Sequence, residues 1–198
     1  MSANEVIHTS ETGARKAGNL ERYDLLPVTA LQDLAYVYGS YGVLPEPSFN
    51  VLNEHLLQFW DGVTFDAAGI PHMAYVAFHA LELVNQIEGF GEQLDEEDAT
   101  ALRHYDRIPA KALRLLAEHY GKGSLKYDDN NWRKGYDWGL SYAALNRHLW
   151  SHWAGETFDP ETGSYHLIAV AWHAFALLTF TDEHPEFDSR WSSSSKTP

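Results

Sequence analysis

The sequence predicts an all-α protein made of two repeated helical units packed about a pseudo-two-fold axis. Apolar residues recur at helical spacing along most of the chain, and no segment sustains the apolar–polar alternation of a strand. An internal repeat carries the rest of the prediction. YDLLPVTALQDLAYVYG (23–39) matches YDRIPAKALRLLAEHYG (105–121) without a gap, and residues 52–83 match 145–177 with one short gap. Leu52, Asn53, His55, Leu56, Trp60, Gly62, Thr64, Phe65, Asp66, Gly69, His72, Val76, Ala77, His79, Ala80 and Leu83 all have identical partners. A match this dense and ordered points to duplication, with two helical units stacked on each other.

Taken in order, residues 1–20 are polar and read as an N-terminal arm or extended segment. The first, degenerate repeat spans 21–88. Pro27 opens its first helix, where a missing N–H costs nothing, and Ala30, Leu31, Leu34, Ala35 and Tyr38 form the apolar face up to Gly39. Residues 40–47 are a turn-rich linker. Ser48 caps a second helix whose face is Phe49, Leu52, Leu56, Phe59 and Trp60. After a loop at 61–69, Pro71 starts a third. An acidic connector follows at 89–104, and the second repeat, at 105–182, holds the candidate site. Within it, residues 122–138 read as a basic, amide-rich loop, followed by helices from about 140 to 154 and 165 to 180. The tail at 183–198 is polar and expected to fray.

Composition narrows the function. The formal net charge of −14 repels nucleic acid polymers and anionic membranes, leaving small anions as ligands where a local basic cluster offsets the field. The absence of Cys excludes disulfides and thiolate chemistry. No apolar run approaches a membrane span, and residues 1–16 lack the apolar core of a signal peptide, so a cytoplasmic protein is expected.

Differences between the repeats locate the chemistry. Arg147 stands where the first repeat has Glu54, His152 where it has Phe59 and Glu156 where it has Val63. Glu161 falls in the region of Ala67 and Ala68, and KYDDNNWRKG (126–135) has no counterpart. The apolar frame is kept, so the second repeat carries the site. Glu156, Asp159 and Glu161 supply oxygen ligands for Mg²⁺ or Mn²⁺, and His148 and His166 add nitrogen donors. An exposed acidic loop, with Asp159 and Glu161 capping the last helix, is the plainer reading. His79 and His173, deep in Ala-rich helices, read as structural.

Lys122, Lys126, Arg133, Lys134 and Arg147 concentrate positive charge suited to phosphates. Asn130, Asn131 and Trp132 among them offer amide groups and a stacking face for a base. Arg15 and Lys16 in the N-terminal arm are placed to close over an anion.

GARK with RYDLLP, then KYDDNNWRKG, RHL, GE, DPETG, HL and AWHA resemble the phage-associated dATP/dGTP diphosphohydrolase-like domain, grouped with MazG-type all-α nucleotide pyrophosphohydrolases. The resemblance covers about 105–180 plus the opening before the first repeat. It implies a metal-dependent hydrolase that splits a purine (deoxy)nucleoside triphosphate into monophosphate and pyrophosphate, and a homo-oligomer or an equivalent pair of units. For a phage-encoded protein the compartment is the host cytoplasm. The ExxE…ExxD metal signature of MazG-type enzymes is missing, so the metal set above comes from this chain's own residues. Because the family's opening precedes the first repeat, a working site is expected to use parts of both halves. Glu156 or Glu161 is the expected general base. The alternative is a non-catalytic protein that sequesters a nucleotide.

Overall fold

A computed structural model describes residues 6–9, 11–12, 15–41, 45–89 and 103–191, with the side chains of 6–9 and 15–18 outside that description. Among the described residues six α-helices carry the fold: α1 (Val28–Ser40), α2 (Phe49–Trp60), α3 (His72–Ile87), α4 (Ala110–Tyr127), α5 (Trp138–Trp153) and α6 (His166–Glu183). One short antiparallel hairpin precedes them, β1 (Val6–Thr9) paired with β2 (Arg15–Gly18). The extended arm therefore folds back on itself. Strands of four residues are too short for alternation to register in the sequence.

α3 and α6 lie at the centre and pack on each other, with α1 and α2 on α3 and with α4 and α5 on α6. Their burial explains their composition. α6 is buried at nearly every position from His166 to Phe180, and a helix apolar all round is stable only inside a core. α2 and α5 bury one face: Leu52, Leu56 and Phe59 in one, Leu145 and Leu149 in the other.

The two repeats also make equivalent contacts with each other. The amide of Arg22 donates to the Ala117 carbonyl at 3.0 Å, and that of His104 to the Ala35 carbonyl at 2.9 Å. Phe49 lies against Trp153 with ring centroids 4.4 Å apart, and Tyr142 stacks on Trp60 at 4.0 Å. In each case the residues exchange roles between aligned positions. The short turn at Tyr23–Leu25 thereby packs on α4, and its counterpart at Tyr105–Arg107 on α1.

Two segments depart from the expected boundaries. α4 continues to Tyr127, so Lys122 and Lys126 stand on a helix and not in a loop. Gly121 sits inside that helix because a Cβ there would come within 1.9 Å of the Leu20 carbonyl oxygen. Its role is close approach, not termination. The expected frayed tail is ordered as far as residue 191. The Arg190 guanidinium donates to the Phe59 carbonyl at 2.9 Å and pairs with Asp188 at 2.8 Å. Most of the acidic connector (90–102) and the end of the tail (192–198) lie outside the described residues.

Candidate functional site

α4, α5, α6 and the segment 128–136 enclose a cavity of about 670 Å³ in the second repeat. That volume lies in the roughly 300–1,000 Å³ range of small-molecule sites. Of the residues singled out in the sequence, Lys126, Asn130, Asn131, Trp132, Arg147, His148, Asp159 and Glu161 line it, together with Lys122. Arg133, Lys134, Glu156 and His166 do not. The side chains of Arg15 and Lys16 lie outside the described residues. Leu25, from the opening turn of the first repeat, completes the wall, so the cavity does draw on both halves.

One end of the cavity is charged. Lys122 Nζ donates to Ser164 Oγ at 3.0 Å, and His119 Nδ1 lies 3.0 Å from the same hydroxyl. Burial lowers the His119 pKa to about 4, so the ring is neutral near pH 7. An ammonium only donates, so the Ser164 oxygen accepts from Lys122, and its other lone pair or its hydrogen meets His119 Nδ1. Lys126 pairs with Glu161, which holds its ammonium charged. Neither Lys122 nor Arg147 has an ion-pair partner among the described residues.

The other end is aromatic. Tyr120, Trp132 and Trp172 form a triangle with centroids 5.9–6.1 Å apart. Trp132 is 9% exposed, so it forms part of the wall and is not a free platform. The Tyr120 hydroxyl is buried and has no partner among the described residues. Its aligned counterpart Tyr38 donates to Glu82 at 2.6 Å, and Ala176 stands where that Glu would be. Asp128 (φ 70°) and Asn130 (φ 56°) hold left-handed backbone at the rim, a strain that clusters at functional sites. Arg22 fixes this rim from the opening turn, donating to Asp129 at 2.7 Å and to Asp24 at 2.7 Å.

The acidic loop is internally satisfied. Asp159, 9% exposed, accepts from the Thr162 hydroxyl at 2.6 Å and from the amides of Glu161 and Thr162 at 3.2 Å. Asp66 does the same in the first repeat, taking the amides of Ala68 and Ile70 and the Tyr75 hydroxyl. These hydrogen bonds outweigh burial and lower both carboxyl pKa values.

His148 Nδ1 meets His166 Nδ1 at 2.9 Å, as His55 Nδ1 meets His72 Nδ1 at 2.7 Å. Burial lowers the His148 pKa, with His166 and Arg147 acting the same way against the carboxylates of Asp159 and Glu161. Glu156 Oε2 lies 3.5 Å from His166 Nε2. Among the described residues, no three His, Asp or Glu side chains are grouped to hold a metal ion. Glu156, Asp159, Glu161, His148 and His166 are instead engaged with Lys126, with backbone amides and with each other, an arrangement that does not fit a resident cation.

Arg133 lies 3.9 Å from Glu183, and Lys134 donates to Asn131; neither cation lines the cavity. His173 is within 3.2 Å of Ser141 Oγ, the role expected of a core histidine, yet it also lines the cavity. Sequence reasoning misses His119, Ser141, Ser164 and Trp172. For His119 and Ser164 a signal is present, since the first repeat has Val37 and Ile70 at those positions.

The family model described as dATP/dGTP diphosphohydrolase, N-terminal, matches residues 91–190. Every residue lining the cavity except Leu25 falls within that match. No curated protein and no solved structure matches the chain.

Proposed function

The chain belongs to the dATP/dGTP diphosphohydrolase, N-terminal family, and from that premise we propose that its cavity binds a purine deoxynucleoside triphosphate and hydrolyses it to monophosphate and pyrophosphate. The observation that carries this reading is a pair of cations, Lys122 and Arg147, without acidic partners among the described residues, in the cavity of a protein of net charge −14. With Lys126 they form a donor set for phosphate oxygens. The Tyr120, Trp132 and Trp172 wall suits the base, and Asn130 and Asn131 supply amide donors and acceptors at the rim.

Mg²⁺ or Mn²⁺ remains the proposed cofactor, and we propose that it arrives on the triphosphate, since the protein's own donors are engaged. A second reading draws on the same engaged donors: the cavity holds a nucleotide without cleaving it. Incubation with dATP, dGTP and the ribonucleotides, in Mg²⁺ or Mn²⁺, separates the two. Monophosphate and pyrophosphate are expected. Tight binding with the triphosphate recovered intact supports sequestration, and neither binding nor release from any nucleotide rejects both.

A further inference from the structure

We infer that His148 is the general base of this site, set in its reactive tautomer by His166 and, through it, by Glu156. The inference rests on the hydrolytic reading above. His148 lines the cavity from α5, and its Nδ1 lies 2.9 Å from His166 Nδ1. Two lone pairs do not meet at that distance, and neither do two N–H groups. One ring donates and the other accepts.

The surroundings of His166 decide which. Its side chain is 4% exposed, and its Nε2 makes no hydrogen bond among the described residues. The acidic group nearest that nitrogen is Glu156 Oε2, at 3.5 Å. A carboxylate favours an N–H facing it over a lone pair. The His166 proton therefore resides on Nε2, and its Nδ1 accepts. His148 must then donate from Nδ1, which leaves the lone pair on its Nε2. That nitrogen has no partner among the described residues. The order is carboxylate, imidazole, imidazole, cavity, each group orienting the next as a carboxylate orients a catalytic histidine.

The first repeat serves as an internal control. His55 and His72 meet through the same two atoms at 2.7 Å. Val63 stands in place of Glu156, so among the described residues no carboxylate pairs with His72 Nε2, and Asp66 acts on the two rings only at longer range. Glu156, one of the charged groups found in the second repeat alone, is thus a positioning residue that lies outside the cavity lining.

In the reaction, His148 Nε2 takes a proton from water as the water oxygen bonds to the α-phosphorus. The bond from that phosphorus to the bridging oxygen breaks, and pyrophosphate leaves with its electron pair. The imidazolium then returns the proton to solvent. Burial, with His166 and Arg147, opposes protonation of the ring, while Asp159 and Glu161 favour it; His119 and His173 lie nearby and are themselves held neutral by burial.

Long-range ¹H–¹⁵N NMR of the full chain reads the tautomers directly. His148 is expected as Nδ1–H and His166 as Nε2–H, and the reverse pair overturns the inference. Glu156→Gln is expected to mix the His148 tautomers and to lower kcat about tenfold with KM unchanged. His148→Gln is expected to lower kcat by about 100-fold or more, the usual loss of a general base, while calorimetric affinity for dATP or dGTP and the melting temperature hold. Turnover by His148→Gln at the wild-type rate overturns the assignment of the base alone. Absence of pyrophosphate release by the wild-type chain instead overturns the hydrolytic reading, and the base with it.

Discussion

Arg147 owes its meaning to one comparison within the chain: the aligned position in the other repeat is Glu54, the opposite charge. An Arg that lines a cavity with no acidic partner among the described residues is suited to an anion. Arg147→Ala and Lys122→Ala are each expected to weaken dATP or dGTP binding about tenfold or more, the scale of one hydrogen bond to a charged group. Isothermal calorimetry reads this, and unchanged affinity in both variants would remove the phosphate-binding role.

The same comparison makes Lys126, Asn130, Asn131 and Glu161 legible in the sequence, while His148 and Asp159, shared with the first repeat, are legible only as candidate ligands, and all line the cavity. Arg133 and Lys134 are not separable from them there, because the direction of a side chain around a tight turn is set by the turn geometry. Lys134 bends back to Asn131, and Arg133 packs over Trp132. Glu156 is legible as unusual but not as remote from the cavity.

The buried histidines carry a pH prediction. Burial lowers His55, His79 and His119 to about 4, against about 6.5 for the free imidazole. Between these values the unfolded chain binds more protons than the fold. Their contribution is thus complete above pH 6.5 and is lost as pH falls toward 4. Asp33, raised to about 6 by burial, opposes them within part of that window. Glu82, raised by burial, and His184, raised by Glu186, oppose them too, while burial lowers His72, His148, His152 and His173 in the same sense as the three; the urea midpoint is expected to fall from pH 6.5 to 4.5, and a midpoint that rises over that interval would contradict the assignment.

Among the elements, α4 shows how helical pattern and helix-breaking residues compete. Gly121 and Gly123 reinforce a loop reading of the sequence, yet packing of the opening turn carries the helix to Tyr127. Leu20 comes so close to α4 that only Gly fits at 121. Gly121→Ala is expected to destabilise the fold by about 1–3 kcal/mol, in the manner of an overpacked core, measured by chemical denaturation. An unchanged midpoint would deny the close approach. Just beyond the helix, Asp128 holds φ 70° and ψ 160°, a region that favours Gly. Asp128→Gly is therefore expected to raise stability by about 1 kcal/mol in the same assay, and a loss of stability would show that the Asp side chain outweighs its strain. The helices themselves are legible from apolar spacing, apart from their ends. The hairpin is not, because its pairing is local and its strands carry no amphipathic signal.

Across the whole molecule, we propose that the two halves arose by duplication and face each other about a pseudo-two-fold axis. The reciprocal backbone bonds of Arg22 with Ala117 and His104 with Ala35 support it, as do the reciprocal stacks of Phe49 with Trp153 and Tyr142 with Trp60. Such exchange is what an isologous contact requires. It accounts for a cavity in the second half that includes Leu25 from the first. One half then keeps its histidine pair, loop clamp and core as scaffold, while the other holds the charged groups. On this view the cavity between α4, α5 and α6 is a nucleotide site. Calorimetric titration of dATP and dGTP into the wild-type chain and into Lys122→Glu/Arg147→Glu puts that to the test. Saturable binding at one site per chain is predicted, abolished in the variant while its melting temperature is retained. Equal binding by both proteins, or none by the wild type, would contradict it.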